Sequence, residues 1–134
     1  MYLRFEFRKP FPELARALCP DIAESALGWD SENVYEWMYL ELPPLNFLLN
    51  FSRNHGWGAI EDDDPRSQQQ LEQAVQPGPI YVFGWDREKQ TYADPLPDWL
   101  PTFIAERLAV DVLVFDQEFN ADIPNGEPIR VVRP

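Results

Sequence analysis

Histidine and cysteine each occur once, at His55 and Cys19, so neither an internal disulfide nor a Cys/His zinc site of the usual kind can be assembled. Bases are scarce as well: 11 Lys and Arg stand against 23 Asp and Glu, a formal net charge of -12. A field of that sign repels phosphate backbones and anionic lipid surfaces, which argues against nucleic acid and membrane as partners. It raises the encounter rate with cationic proteins instead. No apolar run approaches the roughly 18 residues of a membrane span. The N-terminal "MYLRFEFRKP" also lacks the unbroken apolar core of a secretory signal, so a soluble, cytoplasmic protein is expected. A Gly-rich phosphate loop, a G-x-S-x-G elbow and an H-E-x-x-H pair are all missing, and with them the commonest enzyme signatures.

What is present is a chain of 134 residues with 45% hydrophobic and 14% aromatic side chains, enough to bury the core of one domain spanning 1–134. In Tyr2 to Arg8, Leu3, Phe5 and Phe7 alternate with charged residues, the period of a half-buried strand. Leu14, Leu18 and Ile22 lie on one helical stripe that Pro12 opens, Pro20 splits and Gly28 ends. "VYEWMYLEL" predicts a strand with Met38, Leu40 and Leu42 on one face and Tyr35, Trp37 and Tyr39 on the other. Pro43-Pro44 breaks it, and the alternation of Leu45, Phe47, Leu49 and Phe51 predicts a strand paired to it, with a helix as the alternative. Next come a surface helix in "PRSQQQLEQAVQPG", a hairpin in "PIYVFGWDREKQTYA" turning near Asp86 to Lys89, and a helix bearing Leu100, Ile104 and Leu108. "AVDVLVFD" predicts a central strand and "IRVV" a final one. The fold class that follows is α+β: a mostly antiparallel sheet with two to three helices packed on it. Its first part resembles the split βαβ unit of ferredoxin-like domains.

The densest functional signal is the run Glu61, Asp62, Asp63 and Asp64 ahead of Pro65. Anions there complement the N-terminus of the following helix, but one or two suffice, and the rest repel one another. A calcium loop spaces its oxygens at alternating positions around a Gly, which consecutive acids do not do, so no metal is assigned. Two readings stay open: a solvated acidic loop that caps the helix, and a docking surface for a basic protein. Between Arg16 and Arg53 there is no base, while Asp21, Glu24, Asp30, Glu32, Glu36 and Glu41 all fall there. Trp57 and Trp29, beside these acids, have the character of interface anchors, although core packing is the commoner fate of such residues. A Cys19/His55 nucleophilic pair is formally available, but Cys19 sits in an apolar helix with no neighbouring cation to make it a thiolate. Asp111, Asp116 and Glu118 bracket a strand and offer acids without a nucleophile.

The segments "LPPLNFLLNFSRNHGWG" and "GPIYVFGWD" resemble the SUKH superfamily of bacterial immunity proteins, in its Leu-Pro, Phe-Leu and Gly pattern and in a later hydrophobic strand ending in an acid. The chain departs from that pattern where "ENVYEWMYLEL" reads as strand rather than helix. Such a resemblance implies a small acidic α+β domain that neutralises one cognate toxin. The expected function is therefore a non-enzymatic binding protein without cofactor, an inhibitor occluding the active site of a basic toxin. Its expected contact residues are Glu61, Asp62, Asp63, Asp64, Trp57, Trp29, Asp30 and Glu32. The alternatives are a small enzyme or ligand-binding domain whose pocket is lined by Trp37, Trp85 and Trp99, and an assembly or regulatory subunit.

Overall fold

The computed structural model describes residues 1–22, 28–32, 35–43, 45–54, 78–120 and 126–134. They form one sheet in which every pairing is antiparallel, built from β1 (Tyr2–Phe5), β2 (Gly28–Glu32), β3 (Tyr35–Glu41), β4 (Leu48–Asn54), β5 (Ile80–Asp86), β6 (Thr91–Ala93), β7 (Val112–Phe115) and β8 (Arg130–Val132). The order across the sheet is β2-β3-β4-β5-β1-β7-β8, with β6 added to β5. Among the described residues two helices, α1 (Phe11–Leu18) and α2 (Trp99–Leu108), pack on one face. The α+β class expected from the sequence is the one observed. None of the described helices is long and apolar enough to cross a membrane.

Side-chain alternation sorts the sheet into two faces. Leu3, Phe5, Met38, Leu40, Leu49, Phe51, Ile80, Val82, Val112 and Val114 point at the helices and are buried. From α1 they meet Phe11, Leu14, Ala15 and Leu18, whose i, i+3, i+4, i+7 spacing makes one apolar stripe. From α2 they meet Leu100, Ile104 and Ala105. Each such aliphatic or aromatic side chain contributes about 1.5–3 kcal/mol on burial. Helix α1 stops at Cys19, whose N–H still reaches the Ala15 carbonyl at 2.7 Å, because Pro20 has no N–H to extend the ladder. Helix α2 ends with Ala109 in the left-handed region at φ 54, where the Val110 N–H bonds the Ala105 carbonyl at 3.2 Å.

Strand β5 is shared along one edge. Strand β1 covers Ile80 to Val82, and β6 takes over at Gly84 to Asp86. A Cβ on Gly84 would lie 2.5 Å from the Ala93 carbonyl oxygen and 2.9 Å from the Phe47 ring, so only glycine lets β6 and Phe47 close on β5. Where β1 begins, the Met1 amino group bonds Asp94 Oδ1 at 3.0 Å.

Three expectations need correction. Gly28 opens β2, an edge strand that the sequence pattern did not reveal, and the residues that would carry a helix up to it, 23–27, lie outside those described. The strand over 112–115 is flanked on both sides but lies toward one end of the sheet, between β1 and β8. The split arrangement belongs to the second half, where β1 inserts between β5 and β7, strands connected through β6 and α2; the first unit has β3, β4 and β5 between β1 and β2. The expected strand after Pro43-Pro44 is present as β4, paired to β3 residue for residue from Tyr35↔Asn54 to Glu41↔Leu48, and the helical alternative is ruled out. The second short helix beyond Pro20 and the helix expected over "PRSQQQLEQAVQPG" fall on, or largely on, residues outside those described.

Candidate functional site

The face turned away from the helices divides into two regions. Over β5, β1 and β7 it is an aromatic cluster closed by Phe119, which stacks on Phe83 at 5.4 Å and meets Tyr2 edge-on at 5.7 Å. Tyr2 in turn stacks on Phe115 at 4.7 Å, and the Tyr92 hydroxyl donates to the Phe119 carbonyl at 2.8 Å. These contacts are those of a second, smaller core.

Over β3 the same face is built differently. Tyr35, Trp37, Tyr39 and Glu41 form a row along the strand, with Tyr35 42% exposed and Trp37 and Tyr39 partly buried. The β2 ladder sets Glu32 opposite Tyr35 and Asp30 opposite Trp37, which places two of the expected contact residues beside the aromatic row. Trp29 is registered with Met38, a residue of the helix-covered face. On the other flank β4 contributes Asn50 and Ser52, opposite Tyr39 and Trp37, with the Ser52 hydroxyl donating to Asn50 Oδ1. Strand β4 ends at Asn54, opposite Tyr35, and the Gly78 N–H bonds the Asn54 carbonyl at 2.7 Å. Trp57, His55 and the run Glu61 to Asp64 fall between these two points, outside the described residues.

At the opposite end of the row, the β3–β4 loop and the β5–β6 turn enclose an open cleft of about 610 Å³. Leu45, Phe47 and Leu48 supply its apolar lining and Glu41, Asp86 and Glu88 its carboxylates. Asp86 is fixed by the turn it caps, since its Oδ1 accepts the Glu88 N–H at 3.0 Å and the Lys89 N–H at 3.1 Å.

One acid expected to add to a negative face does not. Glu36 points into the core and accepts a hydrogen bond from Arg53 Nε, while Arg53 Nη1 bonds the carbonyls of Phe7 and Lys9, each at 2.9 Å. The Arg53 guanidinium also lies 4.6 Å from the Phe11 ring centroid. The arrangement pins the β1–α1 connection to the β3–β4 hairpin.

The residues considered for chemistry do not converge. Cys19 packs against the core, and burial pushes its thiol up despite the opposing charge of Arg107, the reverse of an activated nucleophile. Asp111 approaches Arg133 at 4.0 Å in an exposed pair, and Asp116 and Glu118 are exposed at the far end of β7. Trp37 and Trp85 share the face turned away from α1 and α2, but Trp85 packs edge-on against Tyr92, and Trp99 belongs to α2 on the opposite side, so the three do not line one pocket. Among the described residues no group of three His, Cys, Asp or Glu is placed to hold a metal ion. No family model, no curated protein and no solved structure matches the chain.

Proposed function

We propose that this protein is a non-enzymatic, acidic binding domain that docks a basic protein, and that it acts as an immunity-type inhibitor by covering the active site of a cationic toxin. The observation that carries the reading is the row Tyr35, Trp37 and Tyr39 on the face turned away from α1 and α2, bordered in register by Asp30 and Glu32. Aromatic anchors surrounded by charge are the usual make-up of a binding hot spot, and a net charge of -12 selects a cationic partner. The acid run Glu61 to Asp64 lies in the sequence between Asn54 and Gly78, which meet at the Tyr35 end of this row, and the reading counts it as part of the acidic contact set. Inhibition would be steric occlusion with charge complementarity, needing no chemistry from this chain.

The test is affinity capture by the intact chain at low and high salt, compared with Trp37→Ala, with Asp30→Lys/Glu32→Lys, and with Asn at Asp62, Asp63 and Asp64. A basic protein retained at low salt, released at high salt and lost with Trp37→Ala is the expected result. Retention indifferent to all three variants overturns the assigned surface.

A further inference from the structure

We infer that the cleft at the Glu41 end of the aromatic row receives a lysine or arginine side chain of the partner; this rests on the reading of the β3 face as the docking surface. The cleft continues that surface, because Glu41 is the last member of the row that starts at Tyr35 and is registered against Leu48, one of the apolar lining residues. Its composition fits one kind of occupant. The apolar side formed by Leu45, Phe47 and Leu48 suits the methylene stem of a long basic side chain, and the carboxylates suit its charged head. Glu41 and Glu88 are exposed and form no ion pair with any described residue. Asp86 is held in place by the turn, so its charge is presented without a rearrangement. Arg87 also borders the cleft, and one guanidinium against three carboxylates leaves a surplus of negative charge. An uncharged apolar side chain would fill the space but leave that surplus uncompensated.

The experiment uses the intact, isotopically labelled protein and two probes, N-acetyl-arginine amide and N-acetyl-norleucine amide, which share a stem and differ in charge. Backbone amide shifts from the arginine probe should concentrate at Glu41, Leu45 to Leu48 and Asp86 to Glu88, and should shrink as salt rises from about 50 to about 500 mM. The norleucine probe should leave them unmoved. Both glutamates are exposed, so Glu41→Gln/Glu88→Gln should fold normally and weaken the arginine probe by about fivefold to tenfold. Equal shifts from both probes, shifts spread over the whole surface, or full retention in the double variant overturn the cleft assignment. So does calcium at about 1 mM moving the same amides when the arginine probe does not. The reading of the β3 face is decided separately by the Trp37→Ala capture, so the cleft can fail while the face stands.

Discussion

Arg53 donates its Nε to the Glu36 carboxylate across the β3–β4 ladder, on the helix-covered side of the sheet. Two charges buried in an apolar core are expensive unless every polar atom is satisfied, and here the guanidinium also bonds the Phe7 and Lys9 carbonyls. Removing Glu36 leaves an uncompensated buried cation, so Glu36→Leu should cost about 3–5 kcal/mol in urea denaturation. Arg53→Met should cost at least as much, since two carbonyls lose their donor along with the carboxylate. The Glu36→Leu/Arg53→Met pair should recover part of the loss. Full recovery to wild-type stability would show that the bonds to the β1–α1 connection contribute nothing.

Gly84 is required by contact, whereas Gly28 is not. A Cβ at Gly84 meets backbone at 2.5 Å, while at Gly28 the nearest atoms are 3.6 Å away, an ordinary van der Waals distance. Gly84→Ala should therefore cost about 2 kcal/mol or more and lower Tm by several degrees, and Gly28→Ala should be close to neutral. Equal thermal shifts for the two would remove the steric account of β6 pairing.

Much of this fold was readable because period-two patterns were strong. The alternation in Tyr35 to Leu42 gave both the strand and its two faces, since Met38 and Leu40 are buried while Tyr35, Trp37 and Tyr39 lie on the other side. β2 escaped notice because "GWDSE" offers no apolar alternation; it is strand through its ladder to β3, a tertiary constraint overriding weak local preference. The same limit applied to Glu36. Counting it among the surface acids was natural from charge alone, and only the cross-strand register with Arg53 shows why it turns inward. Of the site, the aromatic row was visible as a strand face. Its adjacency to Asp30 and Glu32, and the cleft beyond Glu41, required the sheet order.

Ala109 closes α2 with a positive φ that an L-residue adopts at a cost. Glycine is free of that cost at a helix C-terminus, so Ala109→Gly should raise stability by roughly 0.5–1 kcal/mol. The side chain is exposed, and no packing is lost with it. Chemical denaturation of the two proteins side by side checks the sign, and a destabilised variant would contradict the strain argument.

The aromatic cluster predicts how stability responds to alkali. Burial pushes the Tyr2 and Tyr92 phenols up, reinforced at Tyr2 by Tyr81 and at Tyr92 by Glu118 and Asp94, and opposed at Tyr2 by the hydrogen bond from Gln117 and by Arg4. A phenol whose folded value exceeds its unfolded one holds its proton longer in the native state. Its contribution is complete below the unfolded value of about 10 and is lost as pH rises through the folded value. Stability should thus be flat in these groups up to about pH 9 and fall above about pH 10. Tyr92→Phe should shed its part of that fall while losing about 1 kcal/mol at neutral pH, with the bond to the Phe119 carbonyl gone. Urea midpoints measured from pH 8 to 11 on both proteins decide the matter: an unchanged alkaline slope in Tyr92→Phe would mean that this phenol ionises as freely in the folded chain as in the unfolded one.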